Sequence, residues 1–200
     1  MPRRWVTERH RDPYYRAAQR EGLRSRAAFK LGQLNERFHL LRRGDRVLDL
    51  GASPGGWSTV ARNLVGPEGQ VVAVDMRSFE PIEGVMFLRG RVGDPALLDR
   101  LGSERFQVVL SDMSPTISGN YSTDHARSVD LVRSAFGVAQ HVLEPGGTFV
   151  AKLFDGDLTG ELRKDLGESF VRLSVTKPGA SRSQSSEVYL LGQGFSEESG

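Results

Sequence analysis

Two hundred residues with 38% apolar and 8% aromatic content suit one globular domain. No stretch approaches the roughly eighteen apolar residues of a membrane span, and the start MPRRWVTERH has no apolar region behind its charges, so it does not read as a secretory signal. The chain has no cysteine, which excludes disulfides, thiolate metal sites and cysteine nucleophiles and points to a cytoplasmic setting.

The net charge of +2 conceals an asymmetry. Residues 1–43 carry twelve Lys or Arg against four acids, a balance of +8, and the other 157 residues balance at −6. Concentrated positive charge suits a polyanion such as nucleic acid, and equally a solvated basic arm. The expected organisation is a basic arm over 1–20, a single domain over 21–194 and a frayed tail over 195–200.

In chain order, Asp12-Pro13 reads as an N-cap followed by proline at the first helical position. A helix over about 23–41 follows, with Leu23, Ala27, Leu31, Leu34, Phe38 and Leu41 forming a narrow apolar stripe. Arg26, Lys30 and Arg37 fall along one flank of that stripe, and Gly44 is the expected terminating residue. Strands at about 46–50, 70–74, 85–88, 106–110 and 148–151 then alternate with helices at 55–64, 95–101, 123–143 and 158–166. Ser122 and Thr123 are the expected caps of the long helix. Two last strands, 170–176 and 188–191, flank KPGASRSQSS, a loop with no room for a helix, so they must pair antiparallel. The pattern predicts a seven-stranded, mostly parallel α/β sheet of Rossmann-like type with helices on both faces.

The first strand runs into DLGASPGGW at 49–57. A strand, a glycine-rich turn and a helix start form a cofactor crevice at the carboxyl edge of such a sheet. It is not a dinucleotide loop, because Ser53 stands where G-x-G-x-x-G needs its middle glycine, and no phosphate-loop motif is present. Asp75 ends the second strand, where a carboxylate can accept from both ribose hydroxyls, or merely cap a turn. A ribose-bearing cofactor without a pyrophosphate is what S-adenosylmethionine is.

DLGASPGGWS, LSDMSP, FVAKLF and SRSQSSEVYLL together resemble the FtsJ/RrmJ family of large-subunit ribosomal RNA uridine 2′-O-methyltransferases, over nearly the whole chain and in the same order. The resemblance implies a class I methyltransferase fold, S-adenosylmethionine as cofactor and ribosomal RNA, within the large subunit, as partner. It implies cofactor contacts from Gly51, Gly55, Trp57, Asp75 and Asp112. The chain departs from the family where a Gly-Asp pair normally helps to hold adenine. Here the stretch is GRVGD at 90–94, with Arg91 at the acid's position and Asp94 three residues later as the candidate substitute. The family's K-D-K-E set falls on Lys30, Asp112, Lys152 and Glu187, with Lys152 as the implied base.

Methyl transfer to a hydroxyl needs positioning and a proton acceptor. An ordinary lysine, at about 10.4, is protonated at neutral pH. A second lysine lowers such a pKa and carboxylates raise it, so sequence does not fix the sign. Taken singly, Lys30 also reads as a snorkelling surface lysine, Glu187 as a loop cap, and Lys152 with Asp112 as an ordinary ion pair. Arg24, Arg26, Arg37, Arg42 and Arg43 are candidates for a phosphate-tracking surface beside Lys30, and Tyr14, Tyr15, Phe29 and Trp57 for base stacking. Residues 114–121 are expected to cover the substrate. No metal site is expected, since the four histidines are scattered and Asp155-Gly156-Asp157 reads as a solvated turn. A transfer-RNA or cap-type ribose methyltransferase, or a noncatalytic RNA-binding module of the same fold, are the alternative functions.

Overall fold

The computed structural model describes residues 27–181 and 185–197. Its strands are β1 (Arg46–Leu50), β2 (Gln70–Asp75), β3 (Val85–Arg89), β4 (Phe106–Ser111), β5 (Leu143–Phe154), β6 (Phe170–Thr176) and β7 (Glu187–Phe195). Its helices are α1 (Ala27–Phe38), α2 (Gly56–Val65), α3 (Pro95–Leu101), α4 (Tyr121–Val142) and α5 (Thr159–Gly167). The basic arm and the Asp12-Pro13 cap lie outside the described residues.

The strands form one seven-stranded sheet in the order β3-β2-β1-β4-β5-β7-β6. β1 to β5 are parallel, and β7 runs antiparallel to both β5 and β6, as the short 177–186 loop requires. β1 and β2 are buried almost throughout, which is why they read as continuous Val and Leu runs. Helices cover both faces. Leu31 and Leu34 of α1 pack with Trp57, Ala61 and Val65 of α2 on one face, together with Val108, Leu110, Val150, Tyr189 and Leu191 of the sheet. α3, α4 and α5 cover the other, over Leu48, Val109, Phe149, Ala151, Leu153 and Leu190. The chain leaves β1 toward β2 on one side and reaches β4 on the other, so a crevice opens at their carboxyl ends. Among the described residues no helix is long and apolar enough to cross a membrane.

Several local expectations are corrected. α1 stops at Phe38 because His39 takes a left-handed conformation (φ 50°) and returns its N–H to the Asn35 carbonyl. Gly44 instead serves the turn into β1. On α1 it is Ala28 that is fully buried, with Ala27 half-buried. α4 is capped by Asn120, whose side chain accepts from Thr123 N–H at 3.0 Å, so Ser122 and Thr123 lie inside the helix. β5 begins at Leu143, well before residue 148, and shifts register between Phe106 and Val108 of its partner. β7 continues to Phe195, which is buried against Phe170 (ring centroids 5.6 Å apart), so any tail starts after it.

Candidate active site

Strand alternation selects the face on which the site forms. Leu110 of β4, Val150 of β5 and Tyr189 and Leu191 of β7 all point toward α1 and α2. With a period of two, Asp112, Lys152 and Glu187 share that face. Tyr189 pairs directly with Lys152 across the β5–β7 ladder, and Glu187 with Phe154. α1 crosses above them and drops Lys30 from its buried side. Four residues remote in sequence thus meet at the carboxyl end of β4.

The contacts form a chain. Lys30 Nζ lies 2.5 Å from Glu187 Oε1, and Lys152 Nζ lies 3.9 Å from Glu187 Oε2. Lys152 Nζ donates to Asp112 twice, to Oδ1 at 2.8 Å and to the backbone carbonyl at 2.9 Å. Ser181 Oγ donates to Glu187 Oε1 at 2.8 Å, and Tyr189 OH donates to Asp112 Oδ1 at 2.7 Å. The four charged side chains are only 10–15% exposed, a degree of burial that charged groups reach when paired. Burial pushes the Glu187 carboxyl up. The ammonium groups of Lys30 and Lys152 and the hydrogen bonds from Lys30 and Ser181 outweigh it and hold Glu187 below the usual carboxylate range. Burial, the negative charges of Asp112 and Glu187, and the hydrogen bond to Asp112 hold the Tyr189 phenol well above its ordinary value, so it remains a donor.

Beside the tetrad lies an open cleft of about 980 Å³. Gly51, Ser53, Asp75, Asp112 and Met113 line one part of it, Gly90, Arg91 and Val92 a second, and Arg127, Asp130 and Leu131 of α4 a third. Gly51 has φ 76°, and a Cβ there would lie 2.3 Å from Met113 Cγ, so only glycine lets the loop run this close. Asp75 braces that loop, accepting from Ser53 N–H at 2.9 Å and from Arg77 N–H at 2.8 Å while it faces the cleft. Below it Asp49 is fully buried. One of its oxygens accepts from Ser58 Oγ at 2.6 Å, and the other has no protein partner. Burial, opposed by the Ser58 hydrogen bond and reinforced by Asp112 and Asp75, raises the Asp49 carboxyl to about 7.

Not every expected cofactor residue reaches this cleft. Trp57 is 2% exposed, donates its indole N–H to the Ala27 carbonyl at 2.8 Å and packs on Tyr189. Its side chain is a brace between α1, α2 and the site, and it is not available for stacking RNA bases. Gly55 (φ 100°) faces Phe79 and Ile82. Asp94 caps α3 by accepting from Ala96 N–H at 3.0 Å, and the residues of that loop that line the cleft are Gly90, Arg91 and Val92. Arg42 lies at the opposite, amino edge of the sheet beside Asp45 and Gln107, with Arg43 next to it, so neither extends a surface around Lys30. Arg37 donates to Thr176 Oγ1 at 3.3 Å. Arg24, Arg26, Tyr14 and Tyr15 lie outside the described residues. Residues 114–116 line the cleft, and the following turn is pinned by Asp124, which accepts from Ser118 N–H and Oγ–H and from Gly119 N–H.

Tyr189, Ser181 and Asp130 were not expected. Tyr189 had a signal, since it lies two residues after Glu187 on one strand. Ser181 sits in a loop whose approach to Glu187 nothing in the sequence encodes.

The FtsJ-like methyltransferase family model matches residues 23–195. The chain belongs to that family. It is therefore a methyltransferase, and its sheet is the Rossmann-like sheet of such enzymes. A protein of Methanothermobacter thermautotrophicus named ribosomal RNA large subunit methyltransferase E is 46% identical over 200 residues, covering 98% of this chain and 95% of the relative. The protein of the same name from Archaeoglobus fulgidus is 48% identical, covering 92% of this chain and 96% of its own. Among solved structures, one described as a ribosomal RNA methyltransferase of Plasmodium falciparum superposes with a TM-score of 0.75 at 28% identity. It covers 86% of this chain and 98% of that one. Methanococcus jannaschii fibrillarin, at 15% identity and a TM-score of 0.57, covering 78% of this chain and 69% of its own, shares the fold.

Proposed function

We propose that this methyltransferase moves a methyl group from S-adenosylmethionine to the 2′-hydroxyl of a uridine ribose in large-subunit ribosomal RNA, with Lys152 as general base. The observation that carries the proposal is the placement of Lys152 Nζ, held at 2.8 and 2.9 Å by Asp112, a residue that lines the cleft. The names of the homologous proteins favour ribosomal RNA. The lack of cysteine agrees with work in a reducing cytoplasm.

The cleft fits the proposed cofactor on three counts. Glycine at position 51 lets the backbone approach a ligand, Asp75 offers a carboxylate for ribose hydroxyls, and Asp112 lines the cleft with a carboxylate that would favour a cationic sulfonium. Bound there, S-adenosylmethionine supplies an electrophilic methyl group. Once Lys152 has given up its own proton to solvent, the neutral Nζ accepts the proton that the ribose hydroxyl loses as its oxygen is methylated, and the ammonium so formed is again held by Asp112. Asp112 fixes the position of that nitrogen, and Tyr189 fixes Asp112. Glu187, kept ionised by Lys30, holds the second carboxylate near Lys152 and leaves little freedom in the amine's placement. Trp57 and Tyr189 form the apolar wall on which Lys30 rests, its Nζ 6.0 Å from the Tyr189 ring centre.

The test is transfer of a labelled methyl group to large ribosomal subunits, free ribosomal RNA and transfer RNA, with the modified position mapped. Incorporation at a uridine 2′-oxygen of large-subunit RNA is expected. Incorporation confined to transfer RNA, or into a base, would reject the proposed substrate. Cofactor binding without transfer to any RNA would mark a noncatalytic module.

A further inference from the structure

The cleft is lined by three carboxylates, of which two are already engaged. Asp75 accepts from two backbone N–H groups, and Asp112 accepts from Lys152 and Tyr189. Asp130 is the third. Among the described residues no hydrogen bond or ion pair uses its side chain, and only its backbone carbonyl is engaged, by Ser134 Oγ.

Its place in the fold gives that free carboxylate a role. Along the carboxyl edge the order is Asp112 after β4, Gly51 after β1, Asp75 at the end of β2 and Gly90 after β3. A ligand with its sulfonium at Asp112 and its ribose at Asp75 must extend its base toward the Gly90–Val92 wall. α4 lines the same cleft through Arg127, Asp130 and Leu131. Ser134 sits against the same loop, with a Cβ on Gly93 falling 3.7 Å from its Cβ, and Asp130 lies one helical turn before it on the same face. An adenine carries a 6-amino group, which only donates at its two hydrogens. An ionised carboxylate only accepts, and the guanidinium of Arg91 on the neighbouring loop only donates.

We infer that Asp130 accepts a hydrogen bond from the 6-amino group of the cofactor's adenine and selects adenine against 6-oxopurines. The inference rests on the proposed S-adenosylmethionine site. It places recognition of the 6-amino group in this chain on helix α4, because the Arg91 guanidinium on the loop after β3 cannot accept a hydrogen bond.

Calorimetric titration of S-adenosylhomocysteine and its hypoxanthine analogue, S-inosylhomocysteine, into the wild-type protein, Asp130→Ala and Asp130→Asn tests it. The wild type is expected to prefer the adenine ligand, because a 6-oxo group would face the carboxylate. Asp130→Ala should reduce that preference about tenfold, in keeping with loss of a hydrogen bond to a charged group. Asp130→Asn should also reduce it, by gaining affinity for the 6-oxo ligand through its amide N–H. An unchanged adenine-to-hypoxanthine ratio in both variants overturns the role of Asp130, including the case in which both ligands weaken equally. Failure of the wild type to bind S-adenosylhomocysteine would instead overturn the cofactor reading on which the inference stands.

Discussion

The coupling of Lys30 to Glu187 yields the sharpest prediction about stability. The two charges lie 2.5 Å apart with side chains 11% and 13% exposed. Removing one partner of such a pair strands the other, a loss of about 3–5 kcal/mol when burial is complete and near the lower end here. In Glu187→Gln, Lys30 loses its only carboxylate among the described residues, and Lys152 loses a neighbour at 3.9 Å. A cost of about 3 kcal/mol is expected. In Lys30→Met, Glu187 keeps Ser181 and Lys152, so the cost should be nearer 2 kcal/mol. The double variant removes both charges together and should cost about 3 kcal/mol, leaving a coupling of about 2 kcal/mol in the cycle. Urea unfolding of the cofactor-free protein reads this directly, since at an m-value of about 2 kcal/mol/M the Glu187→Gln midpoint falls by more than about 1 M. Losses that add to within about 0.5 kcal/mol would refute the reasoning, because the two residues would then not sense each other.

Other outcomes follow from neighbouring residues. With its carboxyl raised to about 7 by burial, Asp49 contributes stability that is present below its ordinary value of 3.8 and is lost as pH rises through 7. That difference corresponds to about 4 kcal/mol as an upper limit. Asp49→Asn should flatten the decline in stability between pH 4 and pH 8, and an unaltered slope would contradict the assignment. Tyr189→Phe keeps the ring against Trp57 and loses only the bond to Asp112. It should lower stability by about 1–2 kcal/mol, read from the same unfolding curves, and a loss under 0.5 kcal/mol would mean the phenol does not hold Asp112. Gly51→Ala should weaken cofactor binding at least about tenfold, through its positive φ and the clash with Met113. Adding Met113→Ala should restore part of that loss, while no restoration would show that the clash is not the cause.

The strands were legible because buried parallel strands spell themselves as short Val and Leu runs between turns, and β1 and β2 do so plainly. β5 was read too short because Glu144 to Gly147 look like a turn although they lie inside a strand with a register shift. The four charged residues of the candidate site were reached through motif resemblance, since nothing in the sequence alone brings Lys30 within reach of a residue 157 positions away. The common face of Asp112, Lys152 and Glu187 then follows from alternation in β4, β5 and β7, and the same alternation would have added Tyr189. Asp94 had a visible signal: an Asp followed by Pro is the helix-start pattern also read at Asp12-Pro13, and here it caps α3. Trp57 had none, because its partner, the Ala27 carbonyl, belongs to a helix placed by tertiary packing. Asp130 was hidden for the same reason, since its approach to the loop after β3 depends on how α4 crosses the sheet.

The central claim concerns Lys152, and single-turnover methyl transfer by Lys152→Ala, measured beside its affinity for S-adenosylhomocysteine, tests it most directly. A loss of at least about a hundredfold in the rate of transfer is expected, with cofactor affinity within about threefold of the wild type, since the lysine acts on the acceptor's proton. A Lys152→Ala protein that still methylates ribosomal RNA near the wild-type rate would contradict the account.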